Sequence, residues 1–193
     1  AEHTFGANKL CTTCGAPLVY VGTSGLTVIE AEDVDLFTGK DSTCNGNVSH
    51  VIVVEDNAGA LNNKVAMMST GVAGSIAGKT EADGYPAHIK FQVKASEAGT
   101  YYIWARVSMQ FNSKLSIWRH IDGLTHTGAY TANPGSGWRY DKWDEDDVTC
   151  ATTTDFVWVR IAVRKWTEAD AMYTVRLRSR QGGEIYFDRF VVT

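Results

Sequence analysis

The segment His88-Ile-Lys-Phe-Gln-Val-Lys94 carries an apolar residue at every second position without a break, which confines it to extended structure. A helix would scatter that alternation around its circumference. A strand gathers Ile89, Phe91 and Val93 on one face and leaves the lysines and Gln92 on the other. Similar stretches recur at His50 to Val54, Lys64 to Met68, Thr100 to Ser108, Lys114 to Asp122, Phe156 to Arg164, Ala171 to Ser179 and Glu184 to Val192. With the stretch that begins at Val28 they make nine strands, separated by turns rich in Gly, Asn and Asp, with no long amphipathic helix between them. That pattern predicts an all-β fold, an antiparallel jelly-roll-like β-sandwich.

Composition agrees with one packed domain. The 193 residues are 44% hydrophobic and 21% charged, enough to bury a core and too apolar for a disordered chain. No run approaches the ~20 apolar residues of a membrane-spanning helix, and a net charge of −4 gives nucleic acid no basic footprint. The sequence opens on Ala1, as a mature secreted protein would, which predicts an extracellular or cell-surface setting. Under oxidising conditions Cys11, Cys14, Cys44 and Cys150 are disulfide candidates. Pairing Cys11 with Cys14 and Cys44 with Cys150 is preferred, the second bridge contributing ~2 to 4 kcal/mol by closing a long loop. Cross-pairing that ties the N-terminal segment to the domain is the next choice. Cys11-Thr-Thr-Cys14 has the spacing of half a zinc knuckle, but no second such pair follows. Asn47-Val48-Ser49 is a glycosylation candidate.

Residues 1–25 read as an N-terminal extension ending in the β-prone Pro17 to Val21, and residues 26–193 as the sandwich. In Val28-Ile-Glu-Ala-Glu-Asp33 a strand would set Glu30 and Glu32 side by side on one face, about 7 Å apart. Two such carboxylates call for a positive charge, and calcium, which accepts six to eight oxygen ligands with loose geometry, suits them. Asp188 in the closing strand is placed to supply a third carboxylate.

Other signals are weaker. Ala73 to Thr80 fits a relaxed phosphate-loop pattern, but Glu81-Ala-Asp-Gly-Tyr-Pro86 forbids the helix that such a loop needs. Catalytic elbows and zinc-protease helices are absent, the five histidines are scattered, and no catalytic residue is assigned. Trp138, Tyr140 and Trp143 crowd the Gly-rich Asn133 to Trp143, where large rings gain little from local packing unless they meet a flat apolar partner. Asp141 and Asp144 to Asp147 make an acidic loop. Arg160 with Arg164, and Arg176 with Arg178 and Arg180, are spaced to share strand faces and would form one basic stripe if their strands pair.

The Glu30-Ala-Glu32 start, the Phe91 to Val107 segment with its Glu97-Ala-Gly-Thr-Tyr101 turn, the strand from Trp118 into Asp122-Gly123, Gly137-Trp138 and the ending Gly183-Glu-Ile-Tyr-Phe-Asp188 together resemble the carbohydrate-binding modules of families six and thirty-five. The resemblance covers about Leu26 to Thr193. It implies a structural calcium held by Glu30, Glu32 and Asp188, joining first and last strands. It also implies non-catalytic binding of extracellular polysaccharide by the loop aromatics Trp138, Tyr140 and Trp143, with hydrogen bonds from Asp83 or Arg139. The chain departs from the family pattern at Asp83-Gly84-Tyr85-Pro86 and at Tyr186, where the usual binding cleft often has an Asn. A second reading is a fibre subunit that self-associates head to tail by donating its N-terminal strand to a neighbour's sheet edge.

Overall fold

A computed structural model describes residues 19–22, 26–37, 43–44, 48–70, 88–109, 116–121, 139–142, 154–166, 168–169, 172–179 and 183–193. In chain order the strands are β1 (Val19–Gly22), β2 (Thr27–Glu30), β3 (Asp35–Phe37), β4 (Thr43–Cys44), β5 (Val48–Asp56), β6 (Lys64–Thr70), β7 (His88–Ala95), β8 (Gly99–Met109), β9 (Ser116–Ile121), β10 (Arg139–Lys142), β11 (Val157–Trp166), β12 (Met172–Ser179) and β13 (Gly183–Val192). One turn of 3-10 helix, Ala31–Asp33, joins β2 to β3. The architecture is the all-β sandwich expected.

A six-stranded sheet runs β1-β7-β12-β9-β10, with β3 also on β7, and a seven-stranded sheet runs β11-β8-β13-β6-β5-β4, with β2 also on β13. Every pairing is antiparallel except that of β1 with β7. Alternation does the work anticipated for it. Ile89, Phe91 and Val93 of β7 and Val175 and Leu177 of β12 meet Ile103, Ala105 and Val107 of β8 and Phe187, Phe190 and Val192 of β13 in one core. Phe190 lies against Phe91 at 4.8 Å between ring centroids and against Phe187 at 5.6 Å, joining the two sheets through stacked rings. At the end of the core Trp166 is sandwiched between Tyr101 and Tyr173.

Strand β13 breaks its own period. Ile185 and Phe187 point into the core, and so do Phe190 and Val192, although the inner two are three positions apart with two residues between them. Strict alternation would send Phe190 outward. The pairing with β8 shifts between Phe187 and Arg189, so Asp188 is the extra residue of a β-bulge that restores the inward face. The opposite edge of β13 changes partner at the same point, from β6 along Gly183 to Phe187 to β2 along Arg189 to Val192.

Four expectations are corrected. Strand β2 stops at Glu30, and Glu32 lies in the 3-10 turn, so the two carboxylates are not neighbours on one strand face. Residues 139–142, expected in a loop, form β10 at the edge of the six-stranded sheet, where Tyr140 pairs with Trp118 and Arg139 with Arg119. Beyond the nine strands anticipated in the sandwich and the β-prone Pro17 to Val21 that supplies β1, the described residues add β3, β4 and β10, too short for period-two patterning to show. The arginine stripe is divided, since β11 and β12 belong to different sheets. A register shift after Arg160 further separates its phase from that of Arg164.

The described part of the N-terminal extension, Val19–Gly22, joins the six-stranded sheet as β1. Val19 to Gly22 pairs with Gln92 to Ala95, while β3 occupies the preceding stretch of β7, His88 to Lys90. These four residues thus lie on the sheet of their own chain. Removing residues 1–22 uncovers four residues of the β7 edge, and the truncated domain is expected to melt at lower temperature than the full chain in a calorimetric scan. Phe190→Ala, which empties the centre of the core, is expected to cost about 3–5 kcal/mol in denaturant unfolding.

Candidate functional site

The bulge at Asp188 organises a buried polar cluster on the outer side of the seven-stranded sheet. Asp188 has no exposed surface, and a carboxylate in that position needs charged or hydrogen-bonding partners. Its Oδ1 accepts a hydrogen bond from the Leu61 amide at 3.0 Å, and its Oδ2 accepts one from Arg106 Nη1 at 2.6 Å. Arg106 is placed by β8, where Ala105 and Val107 turn into the core and Arg106 turns away. The same Nη1 donates to the carbonyl of Gly59 at 3.3 Å, and the guanidinium lies 4.7 Å from the centre of the Phe156 ring.

Gly59 and Leu61 come from the connection between β5 and β6. Asn57 closes that loop, its carbonyl accepting from the Ala60 amide, its Oδ1 from the Gly59 amide and its own amide donating to the Asn63 carbonyl. Asn63 takes a left-handed conformation, φ 56°, which asparagine tolerates better than most residues. A Cβ on Gly59 would stand 2.2 Å from the Thr154 carbonyl oxygen, so the loop passes where only glycine fits. Beneath it a small apolar cluster of Ala60, Val65 and Tyr186, with Met67 and Phe156 against it, seals the sheet. Tyr186 is buried there and its hydroxyl donates to Glu184, so this departure from the family pattern offers no hand to a ligand.

Glu30 and Glu32 meet the cluster from β2 and the 3-10 turn. Glu30 Oε2 lies 3.1 Å from Arg189 Nη2, near enough for an ion pair but not aligned as a hydrogen bond. Glu32 Oε2 is also buried and accepts no hydrogen bond. Burial raises the Glu30 pKa most; Arg189 opposes the rise, and Glu32, Asp188 and Asp33 add to it. Among the described residues, the carboxylates of Glu30, Glu32 and Asp188 therefore lie with the two guanidinium groups of Arg106 and Arg189.

Of the three carboxylates anticipated as calcium ligands, Glu30 and Glu32 fit a hard cation, because each has a buried oxygen with no donor. Asp188 has both oxygens engaged, and among the described residues no group of three or more His, Cys, Asp or Glu side chains is arranged to hold a metal ion. Arg106 was not anticipated as a partner for Asp188. Its one signal in the sequence is a charge midway through the apolar β8 pattern. Of the anticipated ligand-binding residues, Arg139 and Tyr140 are in β10, and Asp83, Trp138 and Trp143 lie outside the described residues. Cys44 is in β4; Cys11, Cys14, Cys150 and Asn47 also lie outside them.

No protein-family model matches the sequence, and neither does any curated protein. Solved structures do match. A family 35 carbohydrate binding module from Clostridium thermocellum is 14% identical at TM-score 0.51, with 88% of this chain and 98% of that one covered. The CBM35 from Cellvibrio japonicus Abf62 is 10% identical at TM-score 0.51, with 88% and 93% covered. The chain spans only 30% of an exo-beta-1,3-galactanase from Phanerochaete chrysosporium, matched over 89% of this chain at 12% identity and TM-score 0.48. At these identities the likeness establishes the fold, that of the carbohydrate-binding modules of the family 6 and 35 type.

The Glu30 shift sets a pH dependence. A carboxyl whose pKa is raised on folding binds its proton more tightly in the native state, so its ionisation detracts from stability as pH rises through the native pKa. That penalty is absent below the ordinary carboxylate range and present at neutral pH. In metal-free buffer Glu30→Gln is therefore expected to raise the melting temperature at pH 7, with the gain vanishing near pH 4. A gain independent of pH would contradict the assignment. Arg106→Met leaves the Asp188 charge buried without its partner and is expected to cost on the order of 3–5 kcal/mol in denaturant unfolding.

Proposed function

We propose that this protein is a non-catalytic module that binds extracellular polysaccharide and carries a structural calcium. The observation that supports it most is the match to family 35 carbohydrate binding modules along almost their whole length, 98% and 93%, which leaves those modules little structure that this chain lacks. Glycan binding is carried over from what those proteins are, and a secreted or cell-surface location follows from taking extracellular polysaccharide as the ligand. In this reading the ligand meets Tyr140 and the neighbouring Trp138 and Trp143, where ring faces stack on the apolar C–H faces of sugars, and Asp83 or Arg139 supplies hydrogen bonds.

Calcium belongs to the same reading. Glu30 and Glu32 would hold it through their open oxygens, and Asp188 would join them only by giving up a hydrogen bond from Leu61 or Arg106. The ion would neutralise the excess charge there and link β2 to β13, a purely structural contribution. Added calcium is expected to raise the melting temperature and excess EDTA to lower it. Glu32→Gln is expected to abolish the response, and an unchanged melting curve with no metal by elemental analysis rejects the site.

Binding is tested by affinity electrophoresis of the full chain through gels containing individual polysaccharides. Retardation is expected in at least one, and Tyr140→Ala and Trp143→Ala are expected to weaken it by ~1 to 3 kcal/mol. Free migration through every polysaccharide rejects the reading.

A further inference from the structure

Arg189 stands between groups of opposite charge where β13 meets β2 and β8. The register sets it opposite Glu30 on β2 and opposite Arg106 on β8, so it has an acid on one side and a base on the other. Its Nη2 lies 3.1 Å from Glu30 Oε2 and its Nε 3.7 Å from Asp188 Oδ2, and the guanidinium thus reaches from one carboxylate to the other. Neither approach is an aligned hydrogen bond, and Glu30 Oε2 and Arg189 Nε are both buried without a hydrogen-bond partner.

The two guanidinium groups of this junction are held very differently. Arg106 donates to Asp188 Oδ2 at 2.6 Å and to the Gly59 carbonyl at 3.3 Å, and it lies over the Phe156 ring. Among the described residues Arg189 has ion-pair contacts alone, and it faces a like charge across the strand pair, which disfavours it. A buried N–H without an acceptor adds to that cost. The Arg189 side chain is 18% exposed and that of Glu30 24%, so both reach water. Of the two, Arg189 is the group able to leave.

Charge fixes what can take its place. Arg189 makes an ion pair with Glu30 but none with Glu32, whose buried Oε2 stays without a donor. A single positive charge therefore serves a site that presents two carboxylates, and Asp33 beside them is exposed and screened by water. A divalent cation in that place would match Glu30 and Glu32 together, while Arg106 matches Asp188 as it does already. We propose that the Arg189 guanidinium is the resident counter-cation of the Glu30 and Glu32 carboxylates, and that calcium binds there by displacing it into solvent. Arg106 stays in place throughout. The inference rests on the calcium reading and adds to it the group that the ion displaces. Two consequences follow from the exchange. Occupancy depends on the surrounding calcium concentration, because each ion bound breaks an existing ion pair. Sodium, with one charge, gains nothing over the guanidinium and does not displace it.

The test follows calcium binding by the folded full chain, freed of metal with chelator, using titration calorimetry and NMR of the arginine Nε–H groups. The Arg189 signal is assigned by its loss in Arg189→Gln. In the unaltered chain calcium is expected to speed exchange of the Arg189 Nε–H with water several-fold and to leave the Arg106 signal unchanged, and sodium at equal ionic strength to alter neither. Arg189→Gln is expected to bind calcium roughly tenfold more tightly, the scale of removing one partly buried charge. Without calcium it is expected to melt below the unaltered chain, and saturating calcium to close that gap, since the guanidinium is then away from its partners in both proteins. Arg189→Lys keeps the charge without the reach from Glu30 to Asp188, is expected to bind more tightly by a smaller factor, and carries the test if Arg189→Gln does not fold. Calcium bound by all three with equal affinity, and an Arg189 Nε–H that stays protected, overturns this proposal and leaves the calcium reading intact. Tighter binding by Arg189→Gln with the Nε–H of the unaltered chain still protected assigns Arg189 to repulsion at a distance and overturns the displacement. No binding of calcium by the unaltered chain overturns both readings, whatever the variants do.

Discussion

The buried pair of Asp188 and Arg106 is the interaction on which most of the seven-stranded sheet depends. A carboxylate with no exposed surface is tolerated only with charge and hydrogen bonds supplied to it, and those arrive from three parts of the chain. Arg106 brings β8 and, through the Gly59 carbonyl and the Phe156 ring, the β5–β6 loop and the residue leading into β11. Leu61 brings the far side of that loop. Asp188 is also the residue that bulges β13, and without the bulge Phe187 and Phe190 could not both face the core. One side chain therefore links the polar arrangement outside the sheet to the aromatic packing inside it.

The same junction leaves a charge problem unsolved. Arg106 and Arg189 suffice for Asp188 and, in part, for Glu30, while Glu32 adds a buried oxygen with no donor. A sandwich held only by apolar packing would have no reason to collect such groups where β13 passes from β6 to β2. A cation held there would act beside the 3-10 turn, where β13 passes from pairing with β6 to pairing with β2. In this respect the loop, the bulge and the carboxylates are one structural unit.

The two sheet surfaces are unlike. The inner faces form the main apolar core and account for most of the buried side chains among the described residues. The outer face of the seven-stranded sheet is covered by the β5–β6 loop and its small apolar cluster near Asp188, and carries exposed aromatic rings over β8 and β11. Recognition in a rigid sandwich falls either to loops or to such outer faces, since the interior has no space to give.

Residue order alone determined where the longer strands run and, within each unbroken run, which face is buried. The alternation at His88 to Lys94 or Gly99 to Met109 can be satisfied in only one way, and each side chain's face follows from its parity. Parity holds only within an unbroken strand, and it carries no information about which strands become neighbours. The 3-10 turn after Glu30 took Glu32 off the strand, the bulge at Asp188 reversed the faces beyond it, and the allocation of β11 and β12 to different sheets divided the arginines. The engagement of Asp188 by Arg106, 82 residues away in sequence, was decided only when β8 and β13 came together. Contacts of that kind are set by the pairing of distant strands, and pairing is a property of the assembled sheet that no local pattern encodes.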